Sequence, residues 1–129
     1  MTVVLDTHAW LWLRADPARL SPAARQAIED ADRLGVCAIS CWEVATLARR
    51  GRIALDRDVE LWIGQALAGH RLESLPLTAQ IATNAGLLDE GFPGDPADRI
   101  IYATARASLA PLVTRDRALR SFDPRRTIW

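Results

Sequence analysis

The chain has 129 residues, half of them apolar and a quarter charged, which fits one soluble domain with a core of its own. No apolar run approaches the roughly 18 residues that span a bilayer, and Asp6 interrupts any leader-like start, so a cytoplasmic protein without a membrane segment is expected. All sixteen cations are Arg, and the lack of Lys excludes mechanisms built on a Schiff base or a phosphate-cradling ammonium.

Formal net charge is zero, but the charges are unevenly spread. Residues 1–98 hold nine Arg against fourteen acids, and residues 99–129 hold seven Arg against two. A basic C-terminal quarter suits phosphate, or it merely balances an acidic surface. Cys37 and Cys41 lie four apart, with His8 and His70 the only histidines. That is too few soft ligands for zinc, so the thiols read as buried apolar groups.

Thr2–Val3–Val4–Leu5 is a short β-branched run that predicts a central parallel strand. It ends at Asp6–Thr7–His8 and turns into a Trp-rich helix from Ala9 to Leu13. This places the Asp6 carboxylate at the carboxyl edge of the sheet, where open α/β sheets carry ligands. Asp16–Pro17 breaks the pattern. Ser21 as N-cap and Pro22 as N1 open a second helix to about Leu34, stopped by Gly35. Val36–Cys37–Ala38–Ile39 predicts a second strand. Ser40-x-x-Glu43 fits a capping box for a helix from Cys41 to Arg50. A helix from Val59 to Ala68, a strand from Arg71 to Leu75 and a Thr78-capped helix to about Leu88 follow. Gly91–Phe92–Pro93–Gly94 is a loop. Asp95 as N-cap, Pro96 at N1 and Asp98 at N3 specify a helix to Ser108. Pro111–Thr114 is a fourth strand, Arg115–Asp116 opens a short helix to about Ser121, and Asp123–Pro124 is a turn. Thr127–Trp129 is a last edge strand. Short strands alternating with helices predict a parallel α/β sheet.

Four acids share one address in that arrangement. Asp6 ends the first strand, and Glu43 lies in the first turn of the helix after the second. Asp98 starts the helix before the fourth strand, and Asp116 follows that strand. Four carboxylates at one edge repel one another unless a positive charge sits between them. Hard oxygen ligands suit Mg²⁺ or Mn²⁺ rather than Zn²⁺, and such ions bind phosphodiesters and lower the pKa of water. Taken singly, Glu43, Asp95, Asp98 and Asp116 each have an explanation as helix caps. Asp6 fits that explanation least, because it follows a buried strand where a lone acid is costly. The conjunction of four points to a site.

Val4–Leu5–Asp6–Thr7–His8–Ala9–Trp10–Leu11–Trp12, Ile39–Ser40–Cys41–Trp42–Glu43–Val44–Ala45, Gly94–Asp95–Pro96–Ala97–Asp98–Arg99–Ile100–Ile101–Tyr102–Ala103–Thr104–Ala105 and Leu112–Val113–Thr114–Arg115–Asp116 together resemble the PIN domain. They look like its VapC group, the ribonuclease toxins of bacterial toxin–antitoxin pairs. All four blocks stand in family order, and the resemblance covers the whole chain, residues 1–129. It implies a parallel sheet of about five strands between helices. It also implies a catalytic and metal-binding quartet of Asp6, Glu43, Asp98 and Asp116, with Mg²⁺ or Mn²⁺ as cofactor. Asp95 would be an auxiliary acid, and Thr7, Ser40 and Thr114 polar partners beside the acids. The implied activity is metal-dependent endoribonuclease cleavage of RNA, often tRNA or ribosomal RNA, through a metal-activated water. The implied partners are a second copy and a cognate VapB-like antitoxin. One departure stands out: many relatives carry His before the Asp–Pro pair, and Phe92–Pro93–Gly94 has none.

Receiver domains and haloacid dehalogenase-type phosphatases also place acids at strand ends. Both use a Lys that is missing here, and the phosphatases need Asp where His8 stands. A PIN-like scaffold that only binds RNA or protein is the remaining alternative, and the intact quartet argues against it. Trp10 and Trp12 are two apart and cannot share one helix face. At least one is therefore expected to face outward or to sit in a groove; stacking against a base is open to it, but burial in the core or under a partner such as an antitoxin helix is the commoner state of Trp.

Overall fold

Strand β1 (Thr2–Leu5) lies at the centre of a five-stranded sheet, in a computed structural model that describes residues 1–129. After it come α1 (Thr7–Ala15), a 3-10 turn (Pro17–Arg19), α2 (Pro22–Asp30), β2 (Arg33–Cys37) and α3 (Ala38–Arg49). Then follow α4 (Val59–Leu67), β3 (Leu72–Leu75), α5 (Ala79–Leu87), α6 (Pro96–Ala107), β4 (Leu112–Val113), α7 (Arg117–Phe122) and β5 (Thr127–Ile128). The strand order is β3-β2-β1-β4-β5, and every pairing is parallel. The chain leaves β1 toward β2 and β3 on one side and returns to add β4 and β5 on the other. Ligand sites in such sheets open at that reversal, outside the carboxyl ends of the strands.

Successive side chains of a strand point to opposite faces, and β1 uses both. Val3 and Leu5 pack with Trp10, Ile28, Val44 and Trp62 on one face. Val4 packs with Ile101, Tyr102, Leu112 and Leu119 on the other. No helix is long and apolar enough to cross a membrane.

The elements match the predicted order, but several boundaries differ, and β2 runs Arg33–Cys37 rather than Val36–Ile39. Helix α2 stops at Asp30 instead of Leu34, because its end is capped from far away. The Arg71 guanidinium donates to the carbonyls of Ile28 and Ala31 at 2.8 and 2.6 Å. The Asp32 N–H donates to the Met1 carbonyl at 2.9 Å. Gly35 is therefore no helix stop. It lies inside β2, where a Cβ would come within 2.6 Å of Leu75 Cδ1 and 3.4 Å of Val4 Cγ2. Helix α3 starts at Ala38, with Cys37 as an N-cap that makes no side-chain capping bond. Ser40 and Glu43 lie inside this helix, so they form no capping box. Likewise α1 begins at Thr7 rather than Ala9, with no loop after β1.

Neither Trp10 nor Trp12 faces outward; Trp10 takes the alternative of core burial, and Trp12 lines the wall of a cleft. Trp10 is fully buried and Trp12 is 7% exposed. Trp10 packs edge-on against Trp62 of α4, with centroids 5.4 Å apart, and Trp12 packs against Trp129, 5.8 Å away. A helix covered on more than one side can bury residues two apart. The exposed tryptophan is Trp42 of α3, at 60%. Trp10→Ala is therefore a core truncation and is expected to cost about 3–5 kcal/mol in chemical denaturation. A loss under about 1 kcal/mol, the scale of a surface change, would contradict this packing.

Candidate active site

The direct turn from β1 into α1 fixes Asp6. Its Oδ1 accepts the Thr7 N–H at 2.8 Å, making it the N-cap of α1. Its Oδ2 accepts the Thr114 hydroxyl at 2.6 Å, across from the end of β4. Thr114 is fully buried, and its Oγ1 in turn accepts the Asp116 N–H at 3.1 Å. Asp116 then caps α7, its Oδ1 accepting the N–H groups of Ala118 and Leu119 at 2.8 and 3.1 Å. One threonine thus ties the acid of the central strand to the acid of its neighbour.

Glu43 is held from α1. The Thr7 hydroxyl lies 2.5 Å from Glu43 Oε1 and 2.9 Å from Ser40 Oγ. A hydroxyl carries one proton. With Glu43 ionised, Thr7 donates to it and the buried Ser40 donates to Thr7. Ser40 therefore reaches the acid only through Thr7. Asp95 and Asp98 form a reciprocal capping box at the start of α6. Asp95 Oδ1 accepts the Asp98 N–H at 2.9 Å, and Asp98 Oδ2 accepts the Asp95 N–H at 3.2 Å. This box is the one foreseen from Asp95–Pro96–Ala97–Asp98.

All five acids line one cleft of about 1000 Å³. Arg19, Arg52, Arg115, Arg117 and Arg120 line it too, with His8, Trp12 and Trp129. None of these acids is in an ion pair; the three ion pairs of the chain are Met1–Asp32, Asp56–Arg57 and Asp123–Arg126. Asp6, Glu43 and Asp98 consequently resist ionisation. Burial pushes the Asp6 carboxyl up, against the lowering effect of Thr114 and Thr7. Burial also raises Glu43, and the Asp6 charge adds to it. Burial and the Asp95 charge push Asp98 up to about 7. No three His, Cys, Asp or Glu side chains sit close enough to hold an ion as they stand. Like charges keep apart until a cation screens them. The donor set nonetheless fits a hard divalent ion: it is all oxygen, and each carboxylate retains at least one oxygen lone pair that no hydrogen bond uses. Cys37 supplies no softer ligand, because it is buried and its thiol is pushed up to about 12.

The arginine rim was only half legible. Arg115, Arg117 and Arg120 belong to the basic C-terminal quarter, but Arg19 and Arg52 lie in the acidic part of the chain. Only the fold brings them to the cleft.

A parallel sheet with acids gathered at the carboxyl ends of β1 and β4 defines the class, and the PIN-domain family model matches residues 3–123. The chain belongs to the PIN-domain family. It is 50% identical over 130 residues to Ribonuclease VapC22 of Mycobacterium tuberculosis, covering 99% of this chain and 98% of that protein. Its fold is similar to a toxin–antitoxin complex from Klebsiella pneumoniae, with TM-score 0.68 and 22% identity over 95% of this chain and 92% of that one. It is also similar to VapBC2 from Rickettsia felis bound to a promoter DNA fragment. There the TM-score is 0.70 and the identity 16%, over 98% of this chain and 97% of that one.

The raised carboxyls set a pH dependence of stability in metal-free protein. A folded state with Asp98 near 7, against an ordinary 3.8, binds more protons than the unfolded chain between those values. Its contribution is fully present below 3.8 and is lost as pH rises through about 7. Asp6 and Glu43 act in the same direction. Thermal unfolding in EDTA should therefore show the midpoint falling across this window, and less steeply in Asp98→Asn. Equal slopes in parent and variant would contradict the repulsion.

Proposed function

We propose that the whole chain, residues 1–129, acts as one metal-dependent endoribonuclease domain and as the toxin of a toxin–antitoxin pair. The observation that carries this reading is the set of desolvated, cation-free carboxylates at the carboxyl edge of β1 and β4. The 50% identical relative named as a ribonuclease supports the substrate class. Asp6, Glu43, Asp98 and Asp116 are the proposed ligands of Mg²⁺ or Mn²⁺ and the catalytic set, with Asp95 as auxiliary acid. A divalent ion held by these residues would supply Lewis acidity and would lower the pKa of a bound water. The chain's own residues fix the ligands beforehand. Thr114 and the Thr7 N–H orient Asp6, Thr7 with Ser40 orients Glu43, and Asp95 orients Asp98. Preset ligands of this kind spend less free energy on ordering when the ion arrives. The proposed place of action is the cytoplasm.

An antitoxin helix is the proposed inhibitor, and its seat lies between α1 and α2. Leu13, Leu20 and Ile28 line an apolar groove there of about 310 Å³ with Arg25 and Glu29 at its edges. This seat uses the first helix and the helix after Ser21, whereas the buried rings of Trp10 and Trp12 do not line it. A second copy of the chain would find a contact at the exposed Trp42.

The test is hydrolysis of RNA with mapped product ends. Purified protein should cleave RNA with Mg²⁺ or Mn²⁺, leaving 5′-phosphate and 3′-hydroxyl ends, and should stop in EDTA. Asp6→Asn should lose roughly 100-fold or more in rate, in line with losing an electrostatic catalytic group. Cyclic phosphate ends, or full activity in EDTA, would refute the metal mechanism. Binding of RNA with no cleavage under any divalent ion would favour the binding-only scaffold.

A further inference from the structure

We propose that Trp12 clamps the guanidinium groups of Arg19 and Arg115 at the mouth of the acidic cleft, and that this pair grips the sugar–phosphate backbone of single-stranded RNA. The proposal deepens the ribonuclease reading and rests on it. Arg19 ends the 3-10 turn after α1, and Arg115 lies between Thr114 and Asp116 beyond β4. The two are far apart in sequence, yet both reach one ring. Their Cζ atoms lie 4.4 and 5.6 Å from the Trp12 ring centroid.

Cation–ring attraction holds each guanidinium, but bringing two like charges to one ring is opposed by their repulsion. Neither charge is neutralised within the chain. The ion pairs lie elsewhere, although five acids line the same cleft. Other arginines are committed to structure, as Arg71 is to the carbonyls at the end of α2 and Arg99 to those of Ala85 and Leu88. Arg19 and Arg115 are exposed and kept at the rim. Trp12 cannot take a base itself, being 7% exposed and packed against His8 and Trp129. Its role is to position.

The missing partner must be an anion. It must also reach the floor of the cleft, where carboxylates repel anything negative that arrives without a cation. A chain of phosphates meets both demands. One phosphodiester would lie over the acids, whose carboxylates would hold a divalent ion, and its neighbours accept hydrogen bonds from the guanidinium groups. Arg suits this place better than Lys because its planar head stacks on the ring while its edge binds phosphate.

The experiment measures binding of a short fluorescein-labelled single-stranded RNA of mixed sequence with Ca²⁺ present as the oxygen-bound cation, over a range of salt. Arg19→Ala/Arg115→Ala should weaken binding roughly tenfold or more at low salt. It should also reduce the slope of log K against log salt by about 1.4, the value for two phosphate contacts on a single strand. Arg33→Ala/Arg49→Ala removes the same charge outside the cleft and should leave the slope near that of the parent. Parent-like binding by the first variant, or equal losses in both, would overturn the proposal. For the clamp, Arg19→Lys keeps the charge but not the stack, and should recover only part of the affinity. Full recovery would show that Trp12 positions nothing. Trp12→Leu, if thermal unfolding shows it folded, should raise KM for RNA by a larger factor than it lowers kcat. An unchanged KM would likewise remove Trp12 from the account. Arg-dependent binding by a parent that never cleaves would sink the hydrolytic reading and keep the clamp; cleavage without Arg dependence would do the reverse.

Discussion

Repulsion among carboxylates that are partly or wholly removed from water, at the carboxyl ends of the two central strands, is the constraint around which this structure is arranged. Burying a charge without a partner is costly, and a fold that buries several together must hold them by other means. Here the means is local. Asp6, Asp95 and Asp116 are each the N-cap of a helix, and Asp98 completes a capping box. Backbone N–H groups, the positive ends of helices and the hydroxyls of Thr114 and Thr7 supply compensation from within the chain. That compensation is incomplete, as the raised Asp6, Glu43 and Asp98 carboxyls show.

Capping and ligation are therefore not rival explanations of the same residues. The strand order places β1 beside β4, so the helices that leave them start at one edge. Their N-caps then converge because the helices begin there. Thr114 couples two of these caps through one hydroxyl, and Thr7 couples α1 to α3 in the same way. The arginines complete the pattern. They stand at the rim of the cleft without pairing to its floor, so two signs of charge stay separate in one cavity. Such a separation suits a ligand that is itself anionic and arrives with a divalent cation.

Much of this was legible in the sequence. The terminal strand with its acid, the Asp95–Pro96–Ala97–Asp98 start of α6 and the short strand before Asp116 carry local signals, and the structure has them where those signals lie. The boundaries that moved depended on distant partners. Arg71 ends α2 from forty residues away, and no local pattern announces it. Gly35 carries the mark of a helix stop, yet its smallness serves a close approach by Leu75. Ser40-x-x-Glu43 has the spacing of a capping box, but both residues face Thr7 instead. Trp10 and Trp12 are both buried although two apart, because helix periodicity counts one covered side and α1 is covered on more than one. The rim arginines at 19 and 52 could not be assigned to the site without the fold that brings them there.

The central claim is that burial and mutual repulsion oppose ionisation of these carboxyls, Asp98 above all, and that a cation entering among them reverses this. Titration calorimetry of Mn²⁺ into the metal-free protein measures this directly, in buffers of different ionisation enthalpy at a pH just below 7. Ligands must be deprotonated to bind a metal, so the account predicts that protons are released on binding and that Asp98→Asn releases fewer. Binding with no proton release, or with the same release in Asp98→Asn, would contradict it.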